Sequence, residues 1–182
     1  MSGIYLLLGT NLGDRTANLA RVRELLVGNR VPIVKESLIY ETAAWGIEDQ
    51  PAFLNQVLEI ETSKTPAKLL ELTKAIEEDM GRVRKEKWGE RLIDIDILYY
   101  GDTVIDKKNL QIPHPEIQNR RFTLKPMVAI AADFIHPVLK KNQQALLHEC
   151  KDNLEVSVFE GTSWKFNNYQ LARHSGIFPF KF

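Results

Sequence analysis

Two aspartates one residue apart, Asp94 and Asp96, follow directly on a basic stretch of the chain. Residues 92–98 alternate, so Ile93, Ile95 and Ile97 fall on one face of a strand and the two carboxylates on the other. Their Cα atoms then stand roughly 6.5 to 7 Å apart, a span that suits one or two hard cations with oxygen ligands. Magnesium is the cation this donor set points to. It keeps several waters and shares one or two carboxylates with substrate phosphates, so it needs no full protein cage. Upstream, Arg82, Arg84, Lys85, Lys87 and Arg91 oppose only Glu86 and Glu90, an excess of three positive charges in a chain of zero formal charge. A field that local favours a small polyanion, and the guanidinium fork binds phosphate bidentately. Trp88, between Lys87 and Gly89, adds an indole to a stretch suited to closing over a triphosphate. The ordinary readings are a solvated strand face and a solvated charge run. Their adjacency favours chemistry, because phosphoryl transfer needs phosphate and metal ligands together.

The elements that must position these groups follow from periodicity and punctuation. Residues 4–8 read as a buried strand, 9–14 as a turn, and 17–27 as an amphipathic helix with Leu19, Val22, Leu25 and Leu26 inward. Residues 31–40 and 53–61 read as two strands separated by a long loop. Thr65 and Pro66 open a helix that runs to about Met80, with Thr65 as N-cap and Pro66 in the first helical position. A strand over 93–100, a short return at 104–105, and helices over 122–131 and 143–150 complete the order. This is β-α-β-β-α-β, so the predicted fold is α+β with a ferredoxin-like core, an antiparallel sheet flanked by helices, and additional C-terminal elements.

The 182 residues, 44% hydrophobic and 26% charged, suit one domain with a proper core. Residues 4–8 are too short to span a membrane and lack a basic leader, so a cytoplasmic protein is expected. Cys150 is the only cysteine, which excludes an internal disulfide and a cysteine-based zinc cluster.

Several ordered segments resemble the 6-hydroxymethyl-dihydropterin pyrophosphokinase family of folate biosynthesis. They are residues 81–96, Gly9-Thr10-Asn11-Leu12-Gly13, Tyr40-Glu41-Thr42, Gln50-Pro51-Ala52-Phe53-Leu54-Asn55, and Pro113-His114 followed by Asn119-Arg120-Arg121-Phe122. The resemblance extends over about residues 3–150. It implies transfer of a pyrophosphoryl group from ATP to a pterin alcohol, with Asp94 and Asp96 holding two Mg²⁺ ions and Asp96 a candidate proton acceptor. It assigns Arg82 and Arg91 to the phosphates during transfer, Arg84 and Trp88 to lid closure and nucleotide contact, and His114 and Arg120 to phosphate binding. Glu77 contacts the nucleotide, and Leu70 and Ile97 line its base pocket. A pterin slot is implied with Asn55 and Thr42 supplying hydrogen bonds, Phe53 and Phe122 stacking faces, and Ala43 and Trp45 the adjoining loop. This chain departs from relatives in carrying Lys74, Phe53 and Pro115.

The implied partners are ATP and a pterin, with no nucleic acid, no membrane and a monomeric state. A ferredoxin-like RNA-binding or ligand-binding module is a different class with the same sheet. Zero net charge and the lack of a basic-aromatic platform argue against RNA. An ordinary phosphoryl or nucleotidyl transferase would use the same carboxylates and arginines, and its products separate it. Residues 1–150 are expected to form the catalytic domain, and 151–182, rich in aromatics, an extension packed on it. No catalytic role is assigned to that extension.

Overall fold

The first strand, β1 (Ile4–Thr10), is a nearly unbroken apolar run because both of its faces are covered. In this computed structural model, which describes residues 3–43, 51–81 and 92–161, β1 sits inside a six-stranded sheet. Its neighbours are β4 (Phe53–Ile60) and β5 (Asp94–Tyr100), both antiparallel to it. β2 (Ile33–Glu36) and β3 (Tyr40–Thr42) pair with β4 along its length. β4 thus lies between β1 and the β2/β3 strand that follows the first helix, the split arrangement of a ferredoxin-like fold.

Helix α1 (Arg15–Gly28) starts at Asp14, whose carboxylate accepts from the Ala17 amide at 2.9 Å. It buries Leu19, Val22 and Leu26, one helical stripe. Helix α2 (Pro66–Asp79) has Thr65 as N-cap and Pro66 at its start, and turns Leu69, Thr73, Ile76 and Glu77 inward. It ends where Gly81 takes φ 87°, a conformation favouring glycine. Both helices cover one face of the sheet, over Ile4, Leu6, Leu8, Leu54, Leu58, Ile95 and Ile97. The other face lies under α3 (Arg121–Ala131) and α4 (Gln143–Glu149), where Leu124, Met127 and Leu146 meet Tyr5, Leu7, Val57, Leu98 and Tyr99.

One correction to the sequence reading bears on the site. Residues 31–40 do not form a single strand. Between the pairs Glu36 with Leu58 and Tyr40 with Asn55 the chain takes four steps against three on β4, so one residue is extra, as in a bulge. Ser37 holds the irregularity: its amide donates to the Val57 carbonyl at 2.9 Å, and its hydroxyl accepts from the Val57 amide at 3.0 Å. Gln56, fully buried, donates to the Ser37 carbonyl at 2.9 Å. A one-residue shift exchanges faces. Without it Thr42 would point toward α1 and α2; with it Thr42 shares a face with Phe53 and Asn55.

The short return predicted at 104–105 is a two-stranded sheet of β6 (Ile105–Lys107) and β7 (Leu110–Ile112). The first strand also runs two residues further than predicted, so Gly9 and Thr10 belong to β1 and not to the following turn. Beyond α4, β8 (Val156–Val158) pairs with β3 at the sheet edge.

Candidate active site

Register builds the site. Asp94 is paired with Gly9, and Gly9 with Asn55, which pairs on to Tyr40 of β3. Asp96 pairs with Leu7, so both aspartates lie on the α3 face of the sheet. Across the row, Asp94 and Asn55 stand two strand spacings apart, about 10 Å. Between them β1 presents bare backbone, since Gly9 has no side chain. A methyl group there would lie 3.4 Å from Asn55 Oδ1. The row is therefore a polar strip with a low floor: two half-exposed carboxylates on one side, a buried amide on the other.

On the carboxylate side, the backbone is held from three directions. Buried Glu77, on α2, accepts from the amide of Ile95 at 2.7 Å, which ties the helix to the residue between the two aspartates. The chain enters β5 through Leu92, whose carbonyl accepts from Thr10 Oγ1 at 2.6 Å and from Asn18 Nδ2 at 3.1 Å. The His114 amide donates to the Leu98 carbonyl at 2.9 Å. His114 Nδ1 accepts from the Glu116 amide at 3.2 Å, which leaves Nε2 as the protonated nitrogen of a neutral ring. Burial, then the Arg120 guanidinium, pushes the His114 pKa down to about 4, against the raising effects of Glu116 and Asp94. At neutral pH His114 is thus an uncharged N–H donor, in electrostatic range of both Arg120 and Asp94. The Arg120 guanidinium carbon lies 5.8 Å from the centre of the Phe122 ring, at the start of α3.

On the amide side, Asn55 Nδ2 donates to Thr42 Oγ1 at 3.1 Å, both residues being buried. Half-buried Phe53 is directly opposite Thr42, and half-buried Phe122 packs on the same face of the sheet. Ala43 is exposed beside them. Arg15 Nη1 donates to Glu41 Oε1 at 2.7 Å and to the Ala52 carbonyl at 2.8 Å. Asn11 Nδ2 donates to the Pro51 carbonyl at 3.3 Å. These two residues fix the chain on both sides of 44–50. The sequence reading names Asn11 only within the segment 9–13, with no role of its own, and does not name Arg15, although Arg15 carried a signal: a cation in the first turn opposes the helix dipole, so it is retained there for another contact.

The structure therefore brings Asp94, Asp96, His114, Arg120, Phe122, Thr42, Phe53 and Asn55 to one side of the sheet. Leu70 and Ile97 lie on the other, α2 side, where Ile97 is buried in the aliphatic cluster on which Leu70 packs. An open groove of about 610 Å³ borders Leu70, with Pro66, Lys74, Ile105, Lys108 and Leu110 among its walls. Arg82, Arg84, Trp88, Arg91 and Trp45 lie outside the described residues.

Paired carboxylates on an edge strand, a neutral histidine with an arginine in its electrostatic range, and a buried amide with two aromatic rings across the bare backbone of Gly9 thus share one side of the sheet. The family profile described as 7,8-dihydro-6-hydroxymethylpterin-pyrophosphokinase matches residues 5–132. The chain belongs to that family. A 2-amino-4-hydroxy-6-hydroxymethyldihydropteridine pyrophosphokinase of Aquifex aeolicus is 44% identical over 141 residues, covering 78% of this chain and 88% of that one. The enzyme of the same name from Bacillus subtilis is 44% identical over 127 residues, 69% of this chain and 76% of that one. The fold is also that of the wild-type Plasmodium falciparum HPPK-DHPS crystal structure, with a TM-score of 0.63 at 19% identity over 82% of this chain. This chain spans only 43% of that longer protein.

Proposed function

We propose that the Gly9-floored row is where this enzyme transfers pyrophosphate from ATP to the hydroxymethyl group of 6-hydroxymethyl-7,8-dihydropterin, giving AMP and the pterin diphosphate. Family membership carries the reaction, a step of folate biosynthesis. The observation that supports this row is the pairing of Asp94 with Gly9 and of Gly9 with Asn55.

The pterin hydroxymethyl oxygen attacks the β-phosphorus of ATP in line. The bond from that phosphorus to the α,β-bridging oxygen breaks, and AMP leaves with the bridging oxygen. Asp94 and Asp96 would hold two Mg²⁺ ions, for which two carboxylates on one strand face are a fitting set of hard oxygen donors. Substrate phosphates and water would supply the other ligands, as magnesium favours. When bound, the metal neutralises charge developing on the phosphate oxygens and acidifies the attacking alcohol. Asp96 is the candidate acceptor for the alcohol proton. Glu77 keeps the two carboxylates in register through the Ile95 amide.

His114 Nε2–H and the Arg120 guanidinium bind phosphate oxygens, the histidine without adding charge that would compete with the metals. Leu70, with Ile97 beneath it, places the base on the α2 side of the edge strand. Asn55, Thr42, Phe53, Phe122 and Ala43 hold the pterin, whose alternating donor and acceptor edge matches an amide and a hydroxyl. Arg82, Arg84, Trp88, Arg91 and Trp45 complete the phosphate and pterin contacts. Such a site works by positioning and electrostatics more than by a dedicated base. No helix among the described residues is long and apolar enough to cross a membrane.

Product analysis tests the reading. With ATP, Mg²⁺ and the pterin alcohol, AMP and the pterin diphosphate accumulate in equal amounts. ADP with a pterin monophosphate would instead mean γ-phosphoryl transfer and overturn it.

A further inference from the structure

The family match ends at residue 132, yet residues 152–159 reach back to three segments that carry the pterin half of the site. The first is the start of α3. No side chain of its own N-cap residue, Arg120, caps this helix, and the exposed amides of a first turn need acceptors. Asp152 supplies one from outside: its Oδ2 accepts from the Arg121 amide at 2.9 Å, while Oδ1 accepts from the Leu154 amide at 3.0 Å. A carboxylate there also complements the helix dipole. The turn it holds lies between Arg120 and Phe122.

The second segment is β3. Val156 pairs with Thr42 and Val158 with Tyr40, so a strand of three residues, otherwise at the sheet edge, is held on both sides. Lys125 of α3 ties the two together, donating to the Val156 carbonyl at 2.6 Å. The third is the Arg15 fork. The Phe159 amide donates to the Ile39 carbonyl at 2.9 Å, and the Phe159 ring lies 5.4 Å from the Arg15 guanidinium carbon. Arg15 in turn grips Glu41 and the Ala52 carbonyl. This ring seats the cation on one side while its two acceptors hold it on the other.

We propose that residues 152–159 are a positioning element for the pterin half of the active site, with Asp152 setting the first turn of α3 and Phe159 seating Arg15. This rests on the reading of Thr42, Phe53, Asn55 and Phe122 as pterin contacts. It gives the extension more than the surface packing implied by its aromatic content. The carboxylate pair and His114 are anchored independently, through Glu77, Thr10, Asn18 and the His114 amide; of the phosphate groups only Arg120 adjoins the turn that Asp152 holds, so the effect falls mainly on the pterin.

The experiment uses the full chain with both substrates varied. Phe159→Ala raises KM for the pterin by about 10- to 100-fold, the size of effect found when outer-shell partners of metal ligands are lost, with KM for ATP unchanged; Asp152→Ala raises the pterin KM as far and the ATP KM much less, through Arg120. Asp152→Asn, which keeps an acceptor oxygen, restores most of the pterin KM. Leu26→Ala, a destabilising change on the opposite face, leaves the ratio of the two KM values at the wild-type figure. If Asp152→Ala lowers the melting temperature but leaves that ratio unchanged, or raises both KM values by the same factor, the segment is only structural and the proposal is wrong. Amide hydrogen exchange separates this failure from failure of the pterin reading. If the wild-type chain makes no AMP but Asp152→Ala exchanges faster at 40–42 and 121–124 alone, the coupling stands and the pterin reading fails; exchange at those amides as slow as in wild type removes the coupling.

Discussion

The same strands present two different faces. Toward α1 and α2, Leu6, Leu8, Leu54, Leu58, Ile95 and Ile97 form an aliphatic layer over β1, β4 and β5, interrupted by buried, hydrogen-bonded Gln56 and Thr10. Toward α3 the layer begins the same way, with Tyr5, Leu7, Val57, Leu98 and Tyr99, and then gives way to Asp94, Gly9 and Asn55 at one end. Asp96 enters that layer beside Leu7. The lesson is a division of labour within each strand. One face is buried and carries stability, so the end of the other is free to hold polar groups that contribute little to the core. Substitutions on the two faces should therefore separate activity from folding.

The largest separation is expected at the carboxylates. Asp94→Ala or Asp96→Ala should cut turnover by at least about 10³-fold, or roughly 4 kcal/mol of transition-state stabilisation, while unfolding free energy changes by less than about 1 kcal/mol. Steady-state turnover and denaturant unfolding on the same protein check both halves. The reverse pattern is expected at Leu58→Ala, fully buried on the other face of the strand that carries Asn55. There the stability loss should be about 2–5 kcal/mol, with turnover per folded molecule unchanged. A selective loss of turnover in folded Leu58→Ala would break the division.

Asn55→Ala sharpens the comparison within the site face. Losing one amide partner should weaken pterin binding by about 1–3 kcal/mol, leaving nucleotide affinity alone. Titration of each ligand separately distinguishes this from general loosening of the sheet. The smallest effect is a pH dependence from His114. Its pKa is lowered from 6.5 to about 4, first by burial and then by Arg120. Between those values the unfolded chain binds more protons than the folded one, so stability rises with pH across that window and is lost as pH falls through it. His114→Gln should flatten this slope of unfolding free energy in the ligand-free protein.

Much of this layout is legible in the sequence where a local rule decides it. Thr65 marks its helix start because capping is local, and the alternation around Asp94 and Asp96 sorts side chains by face because strand periodicity is local; the first helix starts at Arg15, two residues before the expected 17, with Asp14 as its cap. The bulge between β2 and β3 is not legible that way. Ser37 competes for a partner 20 residues away, Val57, and no pattern within residues 31–40 announces the extra step. Its consequence is large, since it decides which face Thr42 takes. Asp152 is hidden for the same reason: a cap supplied 31 residues after the amide it receives leaves no capping signature beside α3. The carboxylate pair was thus readable in place, whereas the slot opposite depended on tertiary partners. Resemblance supplied Thr42, Phe53, Asn55 and Phe122, and the register now puts them on the same face as Asp94 and Asp96.

The central claim is that the two substrates meet over Gly9. Gly9→Val tests it most directly, because a β-branched residue suits a strand and the nearest side-chain atom to the new Cβ is Asn55 Oδ1, at 3.4 Å. The expected result is a folded protein that still binds an ATP analogue with Mg²⁺, and whose turnover falls by about 10²-fold or more because the reacting groups are held apart. A folded Gly9→Val protein with wild-type turnover would place the transfer elsewhere on the molecule.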